Sequence, residues 1–79
     1  MIKLKPLAHL KDYVPSLDED GCFAVEFSPG MTIADALDLT EISNANIRYS
    51  ILVDKSRKSP ADVLQDGDVV TVMPLLAGG

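Results

Sequence analysis

The groups in this sequence best placed to do chemistry lie at its C-terminal end, Leu75-Leu76-Ala77-Gly78-Gly79. Two adjacent glycines bring no side chain to a core, and they lose the most conformational entropy when ordered. What they offer is thinness: bare backbone can thread a narrow channel and present an α-carboxylate. The five residues after Pro74, fully extended, reach about 17 Å beyond the body. That is far enough to deliver the Gly79 carboxylate into another protein's active site. The plain alternative is an ordinary frayed end or an added scar, since termini usually carry no function. The β-branched run and the proline that precede the glycines favour a purposeful tail.

Other reactive side chains are sparse. The chain has one Cys and one His, which excludes an internal disulfide framework and any two-cysteine metal or redox motif. Cys22 alternates with Phe23, Val25 and Phe27. It reads as a small hydrophobe and not as a sulfur-handling thiol, because nothing near it in sequence would lower its pKa. His9 faces away from the apolar stripe of its segment and has no ligand partners at metal spacing. Asp18-Glu19-Asp20-Gly21 lacks the alternating ligands and closing Glu of a calcium loop and reads as a solvated loop.

Composition sets the frame. Of 79 residues, 47% are hydrophobic and 24% charged, the profile of a folded protein, yet a chain this short makes one small domain with little room for a deep cavity. Lys plus Arg is 7 against 12 for Asp plus Glu, a net charge of −5, which argues against gripping phosphate backbones. No apolar run approaches signal-peptide or bilayer-spanning length, so a cytoplasmic setting is expected.

Periodicity supplies the elements that must position the tail. Ile2, Leu4 and Ala8 alternate with Lys3, Lys5 and His9 as a half-buried strand, with Pro6 suited to an edge or bulge. Lys11 to Gly21 predicts a loop with a short helical turn near Leu10 to Val14. Cys22 to Phe27 predicts a second strand, antiparallel to the first and ended by Ser28-Pro29-Gly30. Thr32 and Asp35 have the spacing of a capping box, opening a short helix that buries Ile33, Ala36 and Leu37 and ends near Leu39 or Glu41. Ser43-Asn44-Ala45-Asn46 reads as a polar connection. Ile47, Tyr49, Ile51 and Val53 alternate as a third strand, and Asp54-Lys55-Ser56 turns the chain. Ser59-Pro60-Ala61-Asp62 predicts a helical turn to Leu64. Asp66-Gly67-Asp68 is a turn, Val69 to Met73 is the most β-branched run, and Pro74 stops it. A mixed sheet with one helix across one face buries these stripes economically. If the first and last strands are parallel neighbours at its centre, the fold is a β-grasp.

Asp66-Gly67-Asp68-Val69, Met73-Pro74 and the terminal Ala77-Gly78-Gly79 resemble the ubiquitin-like sulfur carriers of the MoaD/ThiS type, the small subunit of molybdopterin synthase and the thiamine-pathway carrier. Ser28-Pro29-Gly30-Met31-Thr32-Ile33-Ala34-Asp35-Ala36-Leu37 resembles that family's turn into its helix, and Ile51-Leu52-Val53 its central strand. The likeness spans nearly the whole chain, and its specific part is the Gly-Asp-Val strand with the Gly-Gly end. It implies an α+β β-grasp domain over residues 1–74 and a flexible tail over 75–79.

It also implies a chemistry. An adenylating enzyme of the ubiquitin-activating type would join the Gly79 carboxylate to AMP, and a sulfur nucleophile would displace AMP to leave a thiocarboxylate. A synthase, either the large subunit of molybdopterin synthase or thiazole synthase, would then take the sulfur. Gly79 is the attachment point, Gly78 provides clearance, and Met73, Pro74, Leu75, Leu76 and Ala77 form the partner interface. The carrier would be no enzyme and would bind no cofactor or metal, ATP being consumed by its partner; nucleic acid and membrane are not expected partners. Met73-Pro74-Leu75-Leu76 stands where molybdopterin carriers often have an aromatic residue and consecutive prolines, and Asp54-Lys55-Ser56-Arg57-Lys58 replaces an Asn-Gly-type turn. The long Lys11–Gly21 connection leans toward the molybdopterin branch over the thiamine one. Lys55, Arg57 and Lys58 read first as a solvated turn, and otherwise as a contact to an acidic surface of the activating enzyme or to a pterin phosphate. Two rival functions remain: a ubiquitin-like modifier joined to lysine amines through Gly79, and a β-grasp regulatory module with no tail chemistry. A two-iron ferredoxin is excluded by the single Cys.

Overall fold

Ile2, Leu4 and Pro6 are buried while Lys3 and Lys5 are not, and this alternation forms β1 (Ile2–Pro6). A 3₁₀ helix (Ala8–Tyr13) follows, then β2 (Phe23–Val25), α1 (Ile33–Leu37), a second 3₁₀ helix (Glu41–Asn44), β3 (Tyr49–Val53), β4 (Ser56–Lys58) and β5 (Val69–Pro74). The computed structural model describes residues 1–45 and 47–75. The strands make one five-stranded sheet in the order β2-β1-β5-β3-β4. β1 and β5 are parallel neighbours, with Leu4 opposite Val70 and Pro6 opposite Val72. The β1–β2, β3–β5 and β3–β4 pairs are antiparallel. Terminal strands parallel at the centre, with a helix over one face, make this the expected β-grasp.

The core lies between that face and α1. Ile2, Leu4, Val70 and Val72 from the central strands meet Ile33, Ala36 and Leu37 of α1, with Leu10, Ile42 and Leu64 closing the margins. Burying each large aliphatic side chain contributes about 1.5–3 kcal/mol, so a domain this small depends on every one.

Pro6 sits inside the sheet, not at the edge that its missing N–H suggests. The amides of Lys3 and Leu7 donate to the carbonyls of Asp68, just before β5, and of Val72 in β5, so the nitrogens of even-numbered β1 residues face β2. β2 pairs only as far as Leu4, opposite Phe23. Pro6 therefore points its donorless nitrogen past the end of its neighbour, and no ladder bond is lost. Pro74 obeys the same rule, because the amides of alternate β5 residues face β1, whose pairing ends at Pro6.

The capping box forms in full. Thr32 Oγ1 accepts from the Asp35 amide at 3.2 Å, and Asp35 Oδ2 accepts from the Thr32 amide at 2.9 Å. α1 ends at Leu37, short of the expected Leu39–Glu41. Thr40, which is buried, takes over the last turn: its amide and hydroxyl both donate to the Leu37 carbonyl, and its Oγ1 accepts from the Ile42 amide. That cap starts the second 3₁₀ helix, where only a polar connection was expected.

Residues 60–64 form no helical turn. The Asp62 carboxylate accepts from the Ser59 amide at 2.7 Å, the contact that suggests a cap, but the carbonyls that would propagate a helix go elsewhere. Pro60 and Asp62 give theirs to the Ala34 and Ile33 amides at the start of α1. The segment is a brace for the helix N-terminus, locked by a Thr32–Val63 bridge. The first and third strands are also shorter than expected: Ala8 opens a 3₁₀ helix at φ 54, and β3 starts at Tyr49 after Ile47.

β4 is absent from the sequence reading. Asp54 and Lys55 both adopt positive φ, 56° and 67°, the geometry of a tight primed hairpin turn, and Ser56 returns opposite Val53. Gly67, at φ 94, makes the Asp66-Gly67 turn into β5 with no side-chain penalty.

Two measurements check this account. Thr32→Ala lowers stability by about 1 kcal/mol in urea unfolding, through loss of the cap. Lys55→Gly raises it by about 0.5 kcal/mol, because the left-handed strain removed exceeds the entropy that glycine adds.

Candidate functional site

β5 is the central strand that runs out into the C-terminal segment, and its last residues stay tied to β3. Met73 pairs with Ser50, and Pro74 with Tyr49. The Leu75 amide donates to the Arg48 carbonyl at 3.0 Å, which carries the ladder one residue past the strand. Met73 and Pro74 are half-buried, whereas Leu75 is 48% exposed. Of the residues expected at a partner interface, these three are described; Leu76, Ala77, Gly78 and Gly79 lie outside the described residues.

The sheet face opposite α1 leads toward the same corner. Alternation and register place Lys5, Thr71, Leu52 and Arg57 in one cross-strand row. Met73 and Ser50 form the next row, and Arg48 and Leu75 follow at the tail's root. The strands contribute no carboxylate to this face. The loop residue Asp18 reaches Lys3 at the far end of this face, so the positive charge of the face lies toward the tail's root, with Lys5, Arg57 and Arg48.

Arg57 and Lys58, expected as a solvated turn, instead lie on β4 and are exposed. Lys55 alone stays in the turn. The hairpin brings Arg57 and Lys58 to the same groove as Arg48, beside Tyr49, Pro60 and Leu75. Sequence reasoning missed this grouping because Arg48 precedes a strand that β4 rejoins only through an unrecognised hairpin. The available signal was the two-residue Asp54-Lys55 spacing.

The acidic loop has a structural job. Asp18 Oδ1 accepts from the Asp20 and Cys22 amides at 2.9 and 3.0 Å, and Oδ2 takes the Lys3 ammonium. The Lys3 hydrogen bond, with those from the amides, holds the Asp18 carboxyl below its ordinary value; the same hydrogen bond and the attraction of Asp18 push Lys3 up. Cys22 is buried at 6% exposure, and desolvation, helped by the charge of Asp18, raises its thiol above the ordinary range. A thiol so placed is a poor nucleophile at neutral pH. His9 is exposed on the first 3₁₀ helix. Among the described residues no group of three His, Cys, Asp or Glu could hold a metal ion, and no helix is long and apolar enough to cross a membrane.

No family model matches the chain, and no curated protein matches it. Among solved structures, the crystal structure of SAMP1 from Haloferax volcanii superposes with a TM-score of 0.75 at 18% identity, covering 99% of this chain and 98% of that one. At that identity the likeness establishes the fold alone, a ubiquitin-like β-grasp.

The Asp18–Lys3 pair sets a pH dependence of stability. The depressed Asp18 value contributes stability above 3.8, lost as pH falls through its lower folded value. The raised Lys3 value contributes stability below 10.5, lost as pH rises through its higher folded value. The stability gap between the protein and its Asp18→Asn variant is therefore flat across neutral pH and closes at both ends in urea titrations, starting on the alkaline side where the Cys22 thiol, held up in part by Asp18, ionises in the unfolded chain. For Cys22, alkylation by iodoacetamide is at least ~10-fold slower in the native protein than in the urea-unfolded chain.

Proposed function

We propose that this chain is a sulfur carrier: a protein substrate and sulfur donor, not an enzyme, working through Gly79 in molybdopterin or tungstopterin assembly. The observation that carries the reading is the direct continuation of β5, central in a ubiquitin-like sheet, into Leu75-Leu76-Ala77-Gly78-Gly79. A rigid central strand fixes where the tail leaves the body, and the glycines make that tail narrow.

The carboxylate is a poor electrophile, being an anion without a good leaving group. An adenylating partner joins it to AMP from ATP and releases pyrophosphate. A persulfide then attacks the acyl carbon, expels AMP and forms an acyl disulfide. A thiol cleaves the S–S bond, leaving the Gly79 thiocarboxylate and a new disulfide. The carrier supplies no acid, base or nucleophilic side chain to these steps. Its part is to hold still while the partners grip it: Met73, Pro74 and Leu75 offer a half-buried to exposed apolar contact at the root, with Arg48, Arg57 and Lys58 beside it. Cys22, buried and protonated, takes no part.

A ubiquitin-like modifier uses the same adenylate but transfers Gly79 to a lysine amine. It is the second reading because the fold matched is the ubiquitin-like β-grasp, over 99% of this chain, and carriers and modifiers share this fold. The thiamine-type carrier is the remaining pathway alternative.

Intact mass spectrometry after coexpression with the host's adenylating enzymes and a sulfur source separates these readings. The carrier gains the mass difference between sulfur and oxygen, and the gain vanishes when Gly79 is deleted or one residue is added after it, with an unchanged unfolding curve. Unmodified carrier alongside lysine-linked conjugates would replace this reading with the modifier. Equal sulfuration of the extended form would end it.

A further inference from the structure

We propose that the open edge of β3 beside the root of the tail is a docking groove for an extended, acidic segment of a partner protein, which adds as a short strand against Tyr49. β4 covers only part of β3, pairing with Ile51, Leu52 and Val53. Arg48 gives its carbonyl to Leu75, just past β5, so by strand alternation the amide and carbonyl of Tyr49 face the other way, toward the β4 side. Continuing the β4 register beyond Lys58 opposite Ile51 would set Pro60 opposite Tyr49. Pro60 has no N–H, and its carbonyl is taken by the Ala34 amide. Among the described residues no backbone group pairs with the Tyr49 amide or carbonyl on that side. The edge is thus left open by the residue that diverts the chain.

A groove of about 460 Å³ lies there. Arg48, Arg57 and Lys58 line it, no carboxylate does, and Leu75 and Tyr49 give it apolar floor. The ion pairs among the described residues are Lys3 with Asp18 and the Met1 amino group with Asp66, so none of these three cations is neutralised by a described side chain. Lys58 also borders the neighbouring pocket that Asp54, Asp62 and Asp68 line, so it is Arg48 and Arg57, in a chain of net charge −5, that call for negative charge from outside.

The free edge decides what kind of molecule brings it. A strand's amide and carbonyl pair with another peptide backbone, which gives affinity, while alternating side chains give selectivity. Acidic side chains on such a strand gain charge-assisted hydrogen bonds to the arginines. A nucleic acid offers charge but no matching backbone. Because Leu75 lines the groove, an occupant lies against the point where the tail departs. This inference does not depend on the chemistry at Gly79.

The test is a titration of the full ¹⁵N-labelled chain with the peptide acetyl-Glu-Val-Glu-Val-Glu-amide. The expected result is chemical-shift change at Tyr49, Arg57 and Lys58 with slowed hydrogen exchange of the Tyr49 amide. Binding weakens at least ~10-fold for the lysine-for-glutamate peptide and for the Arg48→Glu, Arg57→Glu variant, and also for a backbone N-methylated peptide, which keeps the charge but cannot add as a strand. The unfolding curve of the variant verifies that it folds. The proposal is overturned if the acidic peptide leaves Tyr49 unperturbed or if the lysine peptide binds equally. It also fails if the shifts map instead to the Lys5–Thr71–Leu52 row. Inorganic phosphate or oligo-dT producing the same shifts would make this a simple anion site, and Tyr49 protection that rises with protein concentration alone would give the edge to a second copy.

Discussion

The parallel pairing of β1 with β5 is the constraint on which everything else in this molecule rests. It joins the two ends of the sequence at the middle of the sheet, and it places Ile2, Leu4, Val70 and Val72 side by side under α1. Because the pairing is non-local, its entropy cost is met only when the core is assembled. It also fixes where the chain leaves the sheet, at the end of a strand paired on both sides.

The same pairing explains why prolines are tolerated in both central strands. Pro6 and Pro74 each aim a donorless nitrogen where the neighbouring strand has ended. A third proline, Pro60, does the converse: it takes the chain away from the sheet, braces α1 through its carbonyl and leaves Tyr49 uncovered. Strand length, not strand composition, decides what each proline costs. The groove beside the tail and the stable helix N-terminus are two results of one diversion.

How much of this was legible depended on whether the signal was local. Thr32 and Asp35, three residues apart, encode a reciprocal cap that the structure reproduces, and the alternation of Ile2 with Leu4 and of Val70 with Val72 gave the central strands. The parallel β1–β5 neighbourhood is non-local, and only the family resemblance suggested it. β4 was invisible because Ser56, Arg57 and Lys58 are all exposed and carry no apolar alternation. The segment 60–64 was misread because one side-chain bond, Asp62 to the Ser59 amide, serves an isolated turn as well as a helix. What distinguished them was the use α1 makes of the Pro60 and Asp62 carbonyls, which no local pattern reports. Of the candidate site, the place of Met73 and Pro74 at the end of the last strand was legible from the β-branched run and its proline stop, while the convergence of Arg48 with Arg57 and Lys58 required the hairpin.

Parallel terminal strands have a mechanical consequence. β1 enters the sheet at one end and β5 leaves it at the other, so tension between the two termini runs along the strands and across their shared ladder. The bonds from Lys3 to Asp68 and from Leu7 to Val72 are then loaded together in shear and cannot open one after another as in a zipper. Tension applied through Leu75 thus meets the fold along this ladder in its shear direction, where several bonds must break at once.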